Sequence, residues 1–175
     1  MTLYKFEGRR PNVDKTAYVS DSAEVVGDVT IGKDCFIGPG AKIKGDYGTV
    51  VVGDNTNIQE NCVVHARPGE KTVIGDWVTI GHGAIIHGPE IKDYAVVGMG
   101  AIISDFAVIG EWSVVGEGAL VANEKDIPDE KVAVGVPAKI VKEVDEEYKK
   151  KWKDYKQIYK ELSTRYKENL TKLEG

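Results

Sequence analysis

Three histidines are the residues of this chain whose types and spacing point most directly to chemistry. His65, His82 and His87 fall within a short central segment, and the chain of 175 residues has no other histidine. Three imidazoles are enough to hold a catalytic zinc ion while leaving a fourth coordination position open for water. Their side chains can act together only if the elements that carry them bring them to one place.

A six-residue repeat surrounds these histidines. A Val or Ile recurs about every six residues from Val19 to Val121, and a mostly small residue precedes it by two positions. An α-helix cannot keep this register, whereas short β-branched strands joined by glycine turns can. The repeat predicts an all-β fold, a three-sided parallel β-helix with 18 residues in each coil and both repeated positions pointing inward. The repeat accounts for almost six coils.

The net charge and hydropathy of the chain argue against a nucleic-acid-binding protein and a membrane protein. The formal net charge is -5, so the chain offers no basic footprint for nucleic acid or an anionic membrane surface. No apolar stretch approaches the roughly 20 residues needed to span a bilayer, and the first residues lack the apolar core of a signal peptide. We therefore expect a cytoplasmic protein. Cys35 and Cys62 occupy small inward positions, which indicates core packing and no thiol chemistry.

The repeat also predicts where two histidines lie. Its register slips at residues 44–51, which hold three extra residues, at the turn 66–71, which holds four, and before Ile91, where one is missing. If these changes sit at corners, the faces stay in phase. His65 and His87 then follow inward residues of the same face and stack on neighbouring coils about 5 Å apart. Two nitrogens at that spacing can share one metal.

His82 has a different expected position. It comes two residues after the inward Ile80, on the preceding face, and points outward around the corner. We do not expect it to reach His65 and His87 of its own chain. It can reach the equivalent pair of a neighbour if three prisms pack side by side, which predicts a cyclic trimer with shared metal sites. Two alternatives stay open: the histidines pack a trimer interface, or one of them acts as a base without metal.

Two amide side chains lie close to this region. Asn57 and Gln59 come one face before His65, and Asp46 lies at the same end of the prism. Asn and Gln beside a metal can orient a bound hydroxide and a small substrate by hydrogen bonds without competing as strong ligands. They are candidates for the catalytic residues.

Taken together, the pair Gly45-Asp46, the segment 56–59, His65 and the segment 78–88 resemble the γ-class carbonic anhydrases and their relatives, which include ferripyochelin-binding-like proteins and carnitine- and phenylacetate-pathway accessories. This resemblance implies a left-handed β-helix and a homotrimer. It implies reversible hydration of CO2 to bicarbonate, a lyase reaction, at zinc sites shared between subunits. It carries over His65, His82 and His87 as Zn²⁺ ligands, with Fe²⁺ or Co²⁺ able to take the same ligands. It carries over Gln59 and Asn57 as residues that orient the zinc-bound hydroxide and CO2, and Tyr159 as a tyrosine near the metal.

The chain departs from this family at two places. Lys44 stands where the family has an arginine that pairs with the aspartate. Tyr47 and Gly48 follow Asp46, and the loop after His65 carries only one glutamate, so the glutamates that shuttle protons in the archaeal type are missing. The open alternatives are a catalytically weak metal-binding homologue, or a hexapeptide acyltransferase or CoA thioesterase on the same scaffold.

The spacing of apolar residues in the C-terminal third of the chain predicts a helix. We expect residues 1–141 to form the β-helix domain, with residues 123–141 closing the prism, and residues 142–175 to form an amphipathic helix that packs on it. Asp145 is the expected N-cap. The expected apolar stripe consists of Tyr148, Trp152, Tyr155, Tyr159, Leu162, Tyr166, Leu170 and Leu173.

Overall fold

The computed structural model describes residues 2–173 as twenty β-strands followed by one helix. The strands are β1 (Thr2–Tyr4), β2 (Asn12–Val13), β3 (Tyr18–Val19), β4 (Glu24–Ile31), β5 (Phe36–Ile37), β6 (Lys42–Val52), β7 (Asn57–Ile58), β8 (Val63–His65), β9 (Lys71–Ile74), β10 (Thr79–Ile80), β11 (Ile85–His87), β12 (Glu90–Ile91), β13 (Val96–Val97), β14 (Ile102–Ile103), β15 (Val108–Ile109), β16 (Val114–Val115), β17 (Leu120–Val121), β18 (Asp126–Ile127), β19 (Lys131–Val134) and β20 (Lys139–Glu143). The helix is α1 (Glu146–Asn169).

Parallel ladders form three faces. The first face stacks β3, β5, β7, β10, β13, β16 and β19, and β20 adds an antiparallel strand at its end. The second face runs β6, β8, β11, β14 and β17, and the third runs β6, β9, β12, β15 and β18. The long strands β4 and β6 join the second and third faces. The structure therefore confirms the predicted parallel β-helix with a C-terminal helix.

The core is built from the repeated inward positions. All the Val and Ile residues of the six-residue repeat from Val19 to Val121 are buried, as are the small residues that precede them. Cys35 and Cys62 are fully buried, free thiols, and burial raises their pKa values to about 12 and about 11. The expectation that both cysteines fill the core is confirmed.

The β-helix is longer than predicted. Residues 123–141 were expected to close it, but β18 pairs in parallel with β15, and β19 pairs in parallel with β16. Ile127 and Ala133 keep the six-residue period and are buried. Charged neighbours such as Lys125 hide this last coil in the sequence. With it, the first face has seven parallel strands, so the expectation of almost six coils is one coil short.

The extra residues at 44–51 do not form a loop. Strand β6 continues through them and pairs with β4 and β8, then with β9. The chain turns the corner where β4 and β6 approach closely, since a Cβ on Gly45 would lie 2.2 Å from the carbonyl oxygen of Asp28. A glycine is needed at this position. The next residue, Asp46, is thereby held in an extended strand beside the second face.

Helix α1 packs along the first face. Asp145 is its N-cap, with Oδ1 accepting a hydrogen bond from the Tyr148 backbone N–H at 2.7 Å, as predicted. Tyr159 and Tyr166 contact the ring of Phe36. The predicted stripe is wrong at its end, because Leu170 and Leu173 lie beyond the helix and are exposed.

Helix α1, the one helix in residues 2–173, is not long and apolar enough to cross a membrane.

Candidate metal centre

Two histidines face each other at the edge of the second face. His65 ends β8 and His87 ends β11, and the two residues are directly paired in the ladder. Their ring centroids lie 5.2 Å apart, and His65 Nδ1 lies 3.2 Å from His87 Nε2. The predicted stacking of this pair is confirmed, with Lys44 one coil below in register with His65.

The other nitrogen of each ring is bound to a carboxylate. His65 Nε2 lies 2.8 Å from Asp46 Oδ1, and His87 Nδ1 lies 2.7 Å from Asp105 Oδ1. An ionised carboxylate can only accept, so a neutral imidazole places its single N–H on this side. The facing nitrogens, His65 Nδ1 and His87 Nε2, then each present a lone pair. Two acceptors 3.2 Å apart are favourable only with a cation or a proton between them.

The spacing of these nitrogens fits a metal ion. In a tetrahedral zinc site with Zn–N distances of about 2.0–2.1 Å, two ligand nitrogens lie roughly 3.3 Å apart. The distance between His65 Nδ1 and His87 Nε2 is 3.2 Å. Carboxylates that hold the far nitrogen of a ligand histidine are the usual partners of zinc-binding imidazoles. The donor set therefore suits two ligands of one zinc ion.

Both carboxylates are themselves held in place. Lys44 Nζ lies 2.8 Å from Asp46 Oδ2, and Arg67 donates to Asp105 Oδ2 at 3.1 Å. Burial alone would raise the pKa of Asp46, but hydrogen bonds from Lys44 and His65 outweigh it and hold that pKa at about 2. Asp46 is therefore ionised at neutral pH. Lys44, which replaces the expected arginine, pairs with the aspartate of its own chain.

His82 lies apart from this pair. It follows β10, and its Nδ1 lies 2.5 Å from Glu60 Oε2 in an ion-pair contact; this buried oxygen makes no hydrogen bond within residues 2–173. With Nδ1 beside a carboxylate, Nε2 is the nitrogen left for a ligand. Within the described part of one chain, no group of three His, Cys, Asp or Glu side chains is placed to hold a metal ion.

The predicted catalytic residues gather with His82. A cavity of about 640 Å³ lies between the first face and α1, and Gln59, His82 and Tyr159 line it. Asn57 is buried behind Gln59, whose Nε2 donates to Asn57 Oδ1 at 3.0 Å. Burial and the nearby charge of Glu60 raise the pKa of Tyr159, opposed by a hydrogen bond with Gln59. Tyr159 is thus protonated at neutral pH.

One chain therefore carries two separate clusters. His65 and His87 lie with their carboxylates on the second face, while His82 lies with Asn57, Gln59 and Tyr159 on the first face. Sequence reasoning did not find the partner carboxylates Asp105 and Glu60. Asp105 lies one coil beyond Gly88, the residue after His87, and a Cβ on Gly88 would lie 2.5 Å from Asp105 Oδ1, so this glycine leaves the space that the carboxylate occupies.

Comparisons with known sequences identify a transferase repeat family, a carbonic anhydrase relative and a carnitine operon protein. The family described as "Hexapeptide repeat of succinyl-transferase" matches residues 28–66 and 71–105. The chain is 47% identical over 135 residues to the "Probable carbonic anhydrase" of Methanocaldococcus jannaschii, covering 77% of this chain and 85% of that protein. It is 45% identical over 105 residues to the carnitine operon protein CaiE of Escherichia coli O157:H7, and it spans only 54% of that protein.

Solved structures share nearly the whole fold. A Bacillus cereus protein provisionally assigned as an acetyltransferase is 35% identical, with a TM-score of 0.94, and the match covers 95% of this chain and 97% of that one. A hexapeptide transferase family protein from Anaplasma phagocytophilum is 38% identical, with a TM-score of 0.90 and coverage of 94% and 98%. Both the β-helix and the position of α1 are therefore shared with these proteins.

Proposed function

Since this chain belongs to the γ-class carbonic anhydrase-like family of hexapeptide-repeat proteins, we propose that it is a zinc-dependent enzyme that hydrates CO2 reversibly to bicarbonate. Each zinc ion lies between two subunits of a homotrimer. His65 and His87 come from one subunit and His82 from its neighbour. The observation that carries the proposal is the pair of facing nitrogens 3.2 Å apart, each on a ring whose other nitrogen is bound to a carboxylate.

The three histidines have the same kind of support. His65 lies against Asp46, His87 against Asp105, and the third, His82, has Glu60 beside its Nδ1. Asp46 and Asp105 each hold one ring nitrogen by a hydrogen bond, and Glu60 lies in ion-pair contact with Nδ1 of His82, so each ring keeps its other nitrogen for a metal. When bound, a zinc ion held by three neutral imidazoles would lower the pKa of a water far below that of bulk water, to about 7, the magnitude established for carbonic anhydrases. Iron or cobalt suits the same ligands.

The amide pair supplies orientation. The Nε2 of Gln59 is directed to Asn57, so the Gln59 carbonyl oxygen is left as an acceptor on the cavity side. An acceptor fixed there can hold a water with its lone pair turned toward CO2. Tyr159, protonated and in contact with Gln59, closes this side of the cavity. The two amides therefore bind and orient, while the histidines hold the metal.

An exposed apolar stripe supports the trimer. Val63, Ile85 and Ile102 project outward from three successive strands of the second face, each 37–41% exposed. His65 and His87 end the first two of these strands. A contiguous apolar stripe beside an incomplete ligand set is typical of a subunit interface. Head-to-tail packing of three such chains closes a ring and brings the neighbour's first face against the histidine pair.

One observation favours a second candidate function, acyl transfer or thioester hydrolysis. The cavity of about 640 Å³ is lined largely by apolar residues, among them Val96, Val114 and Trp152, and it is far larger than CO2 requires. The two solved relatives carry transferase descriptions. In this reading the same groups act on a larger carbonyl substrate, and the chain needs no metal for acyl transfer.

Metal analysis combined with stopped-flow CO2 hydration tests the proposal. The wild type, His87→Ala and the control Ser104→Ala are purified without chelator; Ser104 follows an inward residue one coil beyond His87. We expect about one zinc or iron per chain in the wild type and the control, with metal and hydration lost in His87→Ala. Stoichiometric metal without hydration would overturn the CO2 assignment in favour of a weak metal-binding homologue. Absence of metal from all three proteins would favour acyl transfer.

A further inference from the structure

A buried lysine on α1 is unused by the proposed function. Lys156 is 1% exposed, and its Nζ donates to the carbonyl oxygens of Trp77 at 2.6 Å and Ala95 at 3.2 Å, and to Thr79 Oγ1 at 3.3 Å. Lysine is almost never fully buried unless its amine has partners, and burying an ammonium group is costly. The three acceptors around Nζ satisfy it without any carboxylate. Burial of the Lys156 amine between α1 and the first face costs free energy, which suggests that this lysine has a specific role.

Thr79 connects this amine to the amide pair. Asn57 Nδ2 donates to Thr79 Oγ1 at 3.0 Å and, over a longer distance of 3.4 Å, to the carbonyl oxygen of Val78. Asn57 Oδ1 in turn accepts from Gln59 Nε2 at 3.0 Å. The hydrogen bonds therefore form one chain, from Lys156 through Thr79 and Asn57 to Gln59. Its last member lines the cavity.

We propose that Lys156 is a positioning residue that acts through Thr79 to fix the orientation of the Asn57–Gln59 amide pair. The proposal rests on the proposed function in assigning these amides to the active site. Lys156 itself touches neither the cavity nor the histidines. Helix α1 and the candidate site thereby become one hydrogen-bonded unit.

The direction of the hydrogen bonds gives the physical reason. Lys156 donates to Thr79 Oγ1, which keeps that oxygen an acceptor toward the amine and leaves its second lone pair for Asn57 Nδ2. Without Lys156, the Thr79 hydroxyl is free to rotate and donate to a reversed Asn57 amide, and only the long hydrogen bond from Asn57 Nδ2 to the Val78 carbonyl oxygen, at 3.4 Å, then opposes the reversal. Reversal would turn Asn57 Nδ2 toward Gln59 and require Gln59 to reverse as well. The acceptor on the cavity side would then become a donor.

The other lysines on this side of α1 dock the helix differently. Lys153 lies 5.8 Å from the ring centre of Trp112, and Lys160 lies 5.3 Å from that of Trp77. Such cation–π contacts at exposed sites contribute only weakly to docking of the helix. No hydrogen bond joins Lys153 to Thr79 or to the amides in the described residues. Lys153→Met is therefore a matched control that weakens helix docking without touching the hydrogen-bond chain.

The test is the side-chain amide NMR spectrum of ¹⁵N-labelled trimer, with steady-state kinetics on the same samples. In Lys156→Met we expect the side-chain NH2 resonances of Asn57 and Gln59 to shift or double, with unchanged metal content. Because a mutation far from the chemistry can lower the rate by misplacing the groups that orient the substrate, kcat should fall roughly ten-fold with little change in KM. Lys153→Met should leave both pairs of resonances as in the wild type.

Thr79→Val provides a second variant, since it removes the hydroxyl while keeping its shape and the carbonyl partners of Lys156. It should shift the same resonances, because the hydroxyl that links Lys156 to Asn57 is gone, and unchanged resonances in this variant would contradict the proposal even if Lys156→Met does not fold. Unchanged Asn57 and Gln59 resonances in these variants would overturn the proposal. If the wild type shows no CO2 hydration, the proposed function fails separately, because the NMR result does not depend on activity.

Discussion

His65 Nδ1 lies 3.2 Å from His87 Nε2, and the opposite nitrogen of each ring is bound to an aspartate. The relationship follows from the β-helix, because the ladder pairs these two residues directly on neighbouring coils. The aspartates lie on the coils outside them, so four successive coils build half of a metal site. The other half lies on a different face of the same chain and can complete it only from a second subunit.

Removing one of these aspartates should weaken metal binding. In Asp105→Ala, His87 loses the acceptor that fixes its proton on Nδ1, and we expect the metal dissociation constant to rise roughly 10–100-fold. Arg67→Ala is the control, since it leaves the carboxylate in place and removes only a half-exposed partner. Competition with a chromophoric chelator measures the affinity. Equal affinity in wild type and Asp105→Ala would contradict the assigned role of Asp105.

Lys156 should give the stability of the fold a distinct pH dependence. Burial lowers its pKa to about 7, whereas in the unfolded chain the pKa is about 10.5. Between these values the unfolded state binds more protons, so the contribution of Lys156 to stability increases as pH rises from about 7 to about 10.5 and is lost as pH falls through this window. Lys156→Met removes this dependence.

Chemical denaturation of both proteins at several pH values, at one fixed subunit concentration, isolates the effect of Lys156. The difference in unfolding free energy between the wild type and Lys156→Met should change steadily across this window. A constant difference would show that the Lys156 pKa is the same in the folded and unfolded states.

A charge on the exposed stripe should disrupt the trimer. Ile85 is 41% exposed beside the histidine pair, and Ile85→Asp would bury an unpaired carboxylate in the proposed interface. Val108, on β15 of the third face, is partly exposed and lies on neither face of the proposed interface, so Val108→Asp is the matched control. Sedimentation equilibrium should show a trimer for the wild type and the control but smaller species for Ile85→Asp. A trimer in all three would place the interface elsewhere.

The repeat in the sequence was sufficient to predict the core and the histidine pair. Inward Val and Ile at a fixed period define the coil, and the separation of His65 from His87 is one coil plus the inserted residues. The same counting could have continued to Ile127 and Ala133, but charged neighbours obscured the period. Regular backbone geometry is readable from sequence because each coil repeats the previous one.

Side-chain partners between coils were harder to predict. Asp105 and Glu60 lie at corners, where the repeat does not dictate the residue type, and their contacts depend on which way each side chain turns. Nothing in the sequence marks Lys156 as buried, because a lysine is normally exposed. Its burial depends on the three acceptors that the first face offers, and these are backbone and hydroxyl oxygens that no sequence pattern marks.

Mixed trimers test the shared metal site most directly. His82→Ala and His87→Ala should each lack high-affinity metal and CO2 hydration when purified alone. Trimers are assembled at random from equal amounts of both chains. A site is then complete when the His82→Ala chain supplies the His65–His87 pair and the His87→Ala chain supplies His82. Each of the two chains at a site is the required variant with a probability of about one half, so about a quarter of the sites are complete. Roughly a quarter of the wild-type metal content and CO2 hydration should therefore return. No recovery in demonstrably mixed trimers would contradict a site shared between subunits.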